Sequence, residues 1–232
     1  MGCIAVFCDT KTLINKDTWS TLVDDPLVYA ATVGLHPKEV HNFSPDTLEL
    51  VRRSLEHPKV CALGEVGLDY SGTFRESKGL QKYVLRQLLQ IAVGGGLPLV
   101  IHCRDAEEDC FRILSEDVPR HWKIHLHCFS RGLLEAQKWC SAFPNLYIGF
   151  TPMLSRNRDA QEAVLHLPLE RLLLETDSPY FVPRQPQGAC HYSNPTIARQ
   201  VGQEVARLRG LPEKDVLKQC LENTKKMYCI KL

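Results

Sequence analysis

The chain has 232 residues, a formal net charge of +1 and 24% charged residues. That size suits one soluble α/β domain, up to a whole barrel, and the near-neutral charge excludes a cationic surface that gathers phosphates from a distance. A nucleic-acid partner therefore has to be held by a local site. The ten cysteines contain no C-x-x-C pair, and Cys3, Cys61, Cys103 and Cys128 lie in apolar, strand-like runs where a thiol packs as a small hydrophobe. This pattern reads as a reducing intracellular compartment, nuclear or cytoplasmic, with no disulfide framework.

In chain order, the first run is GCIAVFCD, Gly2 to Asp9. It has no basic leader and no long apolar core before a cleavage site, so it reads as a strand and not as a signal peptide. Residue 6 is not Ser or Thr, as myristoylation requires, and Lys231 interrupts a prenylation box at Cys229. Strand-like runs are expected at residues 3 to 8, 27 to 33, 60 to 65, 98 to 103, 123 to 128, 146 to 150 and 171 to 176. They alternate with helical periodicity, the pattern of a parallel sheet with crossover helices. Leu80, Val84, Leu88 and Ile91 form one helical stripe, stopped by Gly94-Gly95-Gly96. Asp105 with Glu108 reads as a capping box, and Asn194-Pro195 as an N-cap with Pro in the first turn. Ile197, Val201, Val205 and Leu208 form a further stripe, closed by Gly210. No linker or low-complexity segment interrupts residues 1 to 232, so a single domain is expected.

The chemistry sits at the strand ends. VCALGEVGLDY, Val60 to Tyr70, is expected to end its strand at Gly64-Glu65 and pass into a turn bearing Gly67, which delivers Glu65 at the tip of a buried strand. The other ends read Gly34-Leu-His36-Pro37, His102-Cys-Arg104, His125-Leu-His127, Gly149-Phe-Thr151-Pro152 and Glu175-Thr-Asp177-Ser-Pro179. Residues two apart on a strand share a face, so His102 with Arg104, His125 with His127, and Glu175 with Asp177 each point as a pair to one side. Imidazoles and carboxylates converging from several strands are what a divalent cation of the zinc or magnesium class requires. His125 lies one pleat deeper than His127, so His127 is the ligand candidate and His125 a packed core residue. His41, His57, His121, His166 and His191 read as loop or helix-surface residues.

The set GLHP, GEVGLDY, IHCR, HCFS and LLLETDSPY, in this order, resembles the TatD family of metal-dependent deoxyribonucleases. The likeness runs from about Gly2 to Tyr228, where Asn223-Thr-Lys-Lys-Met-Tyr228 resembles the family's final helix. It implies a TIM (β/α)₈-type barrel, here with seven recognisable strands, and up to two divalent ions, Mg2+ or Zn2+. By position, the resemblance makes Glu65 a ligand bridging both ions, gives His102 and His127 to one of them, and gives Asp177 to the other. The resemblance also implies that Asp177 orients or deprotonates the attacking water, that Glu65 and Asp177 are the catalytic pair, and that His36 and Arg104 face the substrate phosphate. Such ions acidify water and hold attacking and leaving oxygens in line, and a guanidinium grips phosphate oxygens. Tyr70, Phe150 and Tyr180 are candidates for stacking a base or for serving as lid.

The family pattern opens with a strand ending in H-x-H, and no such pair precedes GCIAVFCD. The ion near Asp177 is therefore expected to keep only Glu65 and Asp177, and activity to be impaired. The expected function is a phosphodiester hydrolase acting on DNA, a deoxyribonuclease working from an end. Two alternatives stay open: an amidohydrolase-type enzyme cleaving an amide or ester such as an aminoacyl-tRNA, and an inert barrel that binds metal or nucleic acid. No membrane or protein partner is indicated.

Overall fold

The computed structural model describes residues 2 to 181 and 192 to 231, which form two compact units, Met1–His125 with Tyr228–Leu232, and Leu126–Met227. Seven strands occur among the described residues: β1 (Cys3–Phe7), β2 (Val28–Val33), β3 (Val60–Asp69), β4 (Leu99–Arg104), β5 (Ile124–Leu126), β6 (Leu146–Phe150) and β7 (Leu172–Leu174). The α-helices are α1 (Thr10–Ile14), α2 (Lys16–Val23), α3 (Pro45–Ser54), α4 (Lys78–Gly95), α5 (Glu107–Asp117), α6 (Leu133–Ala142), α7 (Arg158–His166), α8 (Ala198–Arg209) and α9 (Glu213–Tyr228). In the first unit β1 pairs with β2, β2 with β3 and β3 with β4, all parallel. In the second unit β6 and β7 are parallel. Strands joined through helices and paired in parallel are the α/β arrangement that the alternating periodicity predicts.

The core of the first unit includes the packing of α4 on β3, with Val84, Leu85, Leu88, Leu89 and Ala92 of the helix and Ala62, Leu63, Val66 and Leu68 of the strand all buried. Each such Leu contributes about 1.5–3 kcal/mol by leaving water. Leu80, expected on this stripe, is instead exposed, and the inward position is Gln81, fully buried. The exchange has a polar cause: Gln81 Oε1 accepts the Asp69 N–H at 2.8 Å and its Nε2 donates to the Asp69 carbonyl at 2.8 Å. Gly96 ends α4 in the left-handed conformation, as the glycine run predicts. The capping box does not form, because Asp105 has φ 53° and α5 starts two residues later with Ala106 at its cap. The acidic residues Glu107, Glu108 and Asp109 instead face the positive end of the helix dipole.

In the second unit Trp139, Phe143, Ile148, Phe150 and Val164 are buried, with the Trp139 and Phe143 rings stacked at 6.3 Å. Asn194 accepts from the Thr196 N–H at the head of a 3₁₀ turn that leads into α8, and Gly210 closes α8 in the left-handed region. Ile197, Val201 and Val205 are buried as the stripe predicts, with Leu208 half-buried. Asn223 on α9 is fully buried and donates to the carbonyls of Leu169 and Leu172, each at 2.8 Å, while its Oδ1 accepts from Gln219.

One strand departs from expectation in a way that shapes the site. β3 does not end at Glu65 but continues to Asp69. The register against β4 runs Leu63 to Leu99 and then Val66 to Ile101, so one extra residue is accommodated at Gly64-Glu65 as a bulge. Beyond it Gly67 lies beside His102 and Asp69 beside Arg104. Glu65, Gly67 and Asp69 therefore share a face with His102 and Arg104. Gly67 sits at φ 152°, and a Cβ there would come 1.9 Å from the His102 carbonyl oxygen. That approach needs a residue without a side chain, so a strand can pass through a glycine that otherwise reads as a turn.

Gly67→Ala is accordingly expected to cost roughly 3 kcal/mol or more in urea denaturation, the range of a strained backbone combined with a core clash. Gly72→Ala serves as the control, since Gly72 is left-handed at φ 52° with open space around it, and should cost only about 1 kcal/mol. Equal losses in the two variants would show that the β3 to β4 approach is not what restricts residue 67.

Candidate functional site

Three elements of the first unit bring a cluster of donors together. His36 follows β2, where its Nδ1 accepts the Lys38 N–H at 3.1 Å and caps a 3₁₀ turn over residues 37 to 42. A ring nitrogen that accepts is unprotonated, so in the neutral ring the proton resides on Nε2. That Nε2 faces Glu65 Oε1 at 3.7 Å. Burial, aided by His102 and Lys38 and opposed by Glu65, brings the His36 imidazole down to about 4, so it is neutral at pH 7.

Glu65, only 6% exposed, lies on β3 with Oε1 2.6 Å from His102 Nδ1. His102 stands over Gly67 and reaches Asp69 Oδ2 with its Nε2 at 3.2 Å, so one imidazole is held between two carboxylates. The Asp69 Oδ1 accepts from both the N–H and the hydroxyl of Ser71, and Lys38 Nζ lies 3.5 Å from Oδ2. Burial raises the Asp69 pKa, but hydrogen bonds from His102 and Ser71 outweigh it and hold the carboxyl well below the usual carboxylate range. Arg104 ends β4 on the same face as His102 and is exposed.

The second unit holds its own cluster. His127 Nδ1 contacts Glu175 Oε2, and His127 Nε2 lies 3.6 Å from Asp177 Oδ1. Glu175 Oε1 accepts the Cys128 N–H at 3.0 Å. Strand alternation is not what sets this geometry, since β5 stops at Leu126 and β7 at Leu174. Cys128 and Asp177 adopt left-handed conformations, with φ 48° and 51°, and their turns aim the side chains. Burial pushes the Cys128 thiol up to about 12, and its Sγ rests 3.7 Å from Thr151 Oγ1.

The donor chemistry in both clusters fits a divalent cation. Ligand atoms of His36, Glu65 and His102 lie within 4.8 Å of one another, as do those of His127, Cys128 and Asp177. His125 is buried, with Nδ1 2.7 Å from the Tyr228 hydroxyl, which matches the packed role expected of it. Among the aromatic candidates, Tyr70 and Phe150 are buried, whereas Tyr180 is 68% exposed. His191 lies outside the described residues. Asp69 and Glu175 complete the two clusters, yet strand-end reasoning assigned neither a role. The signal for Asp69 was the alternation Glu65-x-Gly67-x-Asp69, hidden by reading Gly67 as a turn.

A family model described as TatD related DNase matches residues 2–229. The chain belongs to that family. Among its TatD relatives, the human "3'-5' RNA nuclease TATDN2" is 39% identical over 232 residues, covering 99% of this chain. The chain spans only 30% of that protein's length. The "3'-5' ssDNA/RNA exonuclease TatD" of Erwinia tasmaniensis is 31% identical over 224 residues, covering 94% of this chain and 85% of the relative. The crystal structure of YJJV, a TatD homolog from Escherichia coli K12, aligns with a TM-score of 0.85 and 26% identity over 99% of this chain and 87% of that one. The fold class is thus α/β of the TIM-barrel type, as the TatD resemblance implies.

Because folding keeps His36 neutral, the metal-free chain is expected to lose stability as pH falls. The folded pKa near 4 lies below the ordinary 6.5, so stability present above 6.5 declines between these values and levels off below about 4. In His36→Asn, where the amide oxygen still accepts the Lys38 N–H, denaturation midpoints should fall less steeply over this window. Identical pH profiles for the two chains would remove His36 as the source.

Proposed function

We propose that this chain is a metal-dependent phosphodiester hydrolase that removes nucleotides from the 3' end of single-stranded DNA or RNA. The observation that carries this reading is the first-unit cluster, in which Glu65 and His102 converge beside a neutral, inward-facing His36. The names of the human and Erwinia relatives supply the polarity and widen the substrate from DNA to both nucleic acids. None of the nine described cysteines is in a disulfide, which is compatible with a reducing compartment such as nucleus or cytoplasm. No helix among the described residues is long and apolar enough to cross a membrane.

In this reading Glu65, His102, His127 and Asp177 supply the ligands for up to two cations of the magnesium or zinc class, with His102 and His127 serving one, Asp177 the other and Glu65 both. The ion, when bound, polarises a phosphoryl oxygen and lowers the pKa of water toward neutrality. The protein's own groups do the rest. His36 presents Nε2–H, a neutral donor suited to a non-bridging phosphate oxygen, and adds no charge that would repel a cation. Arg104 extends from the end of β4 and supplies a charge-assisted grip on the phosphate. Asp177, 29% exposed at its side chain, is placed to orient the attacking water or take its proton. With a net charge of only +1, binding depends on these local contacts and not on a surrounding basic field.

The test uses single-stranded DNA and RNA labelled separately at each end, with and without EDTA. Stepwise loss from the 3' end, abolished by EDTA and restored by Mg2+ or Zn2+, is expected. Glu65→Gln should lose bound metal and hydrolysis together while remaining folded. Arg104→Ala should keep its metal and lower kcat/KM by about 10²–10³, as removal of one preorganised transition-state contact does. Cleavage unaffected by EDTA, or a Glu65→Gln chain with unchanged metal content and rate, would falsify the reading.

A further inference from the structure

The first-unit cluster carries a cation, Lys38, without a role in the scheme above. We propose that its ammonium binds the phosphate on the 5' side of the scissile linkage, so that the first unit holds two successive phosphates of a single strand. This inference rests on the proposed function and deepens it.

Lys38 belongs to the 3₁₀ turn that His36 caps, and its own backbone N–H is the one that His36 Nδ1 accepts at 3.1 Å. One turn therefore fixes both the ring assigned to the scissile phosphate and the origin of the lysine side chain. Lys38 Nζ lies over the Phe74 ring, 5.1 Å from its centroid, and 3.5 Å from Asp69 Oδ2. Asp69 and Glu65 face opposite nitrogens of His102. The ammonium is thus set apart from Glu65, and from an ion held there, by the width of an imidazole. That places it at the next position along the mouth and not at the ion itself.

The protein leaves the donors of this cation unused. An ammonium has three N–H groups, yet among the described residues the Lys38 side chain makes no hydrogen bond, only the ion pair and the ring contact. By contrast, Lys59 donates to the Val23 and Asp25 carbonyls at 3.0 and 3.1 Å, and Lys82 to Asp109 at 3.1 Å. Asp69 does not need Lys38 as a donor, since Ser71 supplies two hydrogen bonds and His102 Nε2 lies 3.2 Å away. The Lys38 side chain is 37% exposed while that of Asp69 is fully buried, so the open side of the ammonium is turned outward. A phosphate oxygen there would take the free donors in charge-assisted bonds. Arg104 lies beside Asp69 across the β3 to β4 register, and it too makes no side-chain hydrogen bond among the described residues. Lys38 comes to Asp69 from the β2 side and Arg104 from the β4 side. Two cations on separate strands suit two phosphates better than a joint grip on one.

The test is a double-mutant cycle on single-stranded DNA whose penultimate 3' linkage is either a phosphate or an uncharged methylphosphonate. The measured quantity is kcat/KM for release of the 3'-terminal nucleotide in Mg2+. Lys38→Met keeps an unbranched apolar side chain beside Phe74 and removes the charge. The methylphosphonate should slow the wild type about 10-fold, the scale of one hydrogen bond to a charged group, and Lys38→Met should be slowed about 10-fold on the unmodified strand. In Lys38→Met the methylphosphonate should then cost nothing further, and Lys38→Arg should restore its penalty. In a second measurement, on the metal-free chain, Lys38→Met should lower the slope of log Kd against log[KCl] for the unmodified strand by about 0.7, the share of one phosphate on a single strand. A methylphosphonate penalty of the same size in wild type and Lys38→Met, as a purely structural lysine would give, overturns the proposal. So does an unchanged salt slope, or a wild type indifferent to the methylphosphonate. If the wild type releases no 3' nucleotide from the unmodified strand, the functional reading fails and takes the subsite with it. Cleavage with an unchanged penalty or slope overturns the subsite alone.

Discussion

The first-unit cluster depends on how closely β3 and β4 approach at Gly67. With no side chain there, the backbone of β3 lies directly against the backbone of His102, whose carbonyl oxygen occupies the space a Cβ at residue 67 would need. The two carboxylates that flank the ring, Glu65 and Asp69, are then neighbours of that gap on the same strand face. The bulge at Gly64-Glu65 makes this possible, since without the extra residue the face carrying Asp69 and the face carrying His102 would be out of step. Charge, hydrogen bonding and backbone geometry are thus coupled at one crossing.

Most of the strand pattern is legible in the sequence because parallel strands covered by helices read as continuous apolar runs. The expected run at residues 146 to 150 coincides with β6, and the run at 60 to 65 finds the start of β3. What local reading does not reveal is continuation through glycine. Gly67 is a turn residue by propensity and a strand residue only because His102 leaves no room beside it, which is information held by another segment of the chain. The same limit hides the role of Gln81, a polar residue at a core position whose justification is the Asp69 peptide it clamps. His36, His102, His127, Glu65 and Asp177 were recognisable because imidazoles and acids at apolar strand ends have few structural uses. Asp69 was not, since it lies beyond a glycine that reads as a turn, and Glu175, although paired with Asp177 at a strand end, has no distinct role until its hydrogen-bond partner is known.

In both units an imidazole lies between two acids, but the means of support differ. Asp69 is anchored by Ser71 and Gln81, and so by side chains and by a helix packed on its strand. Glu175 is anchored by the Cys128 amide and by backbone pairing with β6. One cluster is built on regular strands, and the other on turns with left-handed residues at 128 and 177. Rigid scaffolds and pinned loops can both hold donors in place, but a loop depends on each pin.

Asn223 has a further bearing, on the order in which the second unit is completed. The carbonyls of Leu169 and Leu172 bracket the start of β7 and both accept from this one buried amide, Leu169 in addition to the Leu172 N–H. During ribosomal synthesis those acceptors lack that partner until residue 223 has emerged, 51 residues beyond Leu172 and 54 beyond Leu169. The short β7, and with it the backbone that leads to Glu175 and Asp177, therefore acquires its full set of bonds late in translation. His127 and both acids are thus translated well before the amide that completes the strand leading to Glu175 and Asp177.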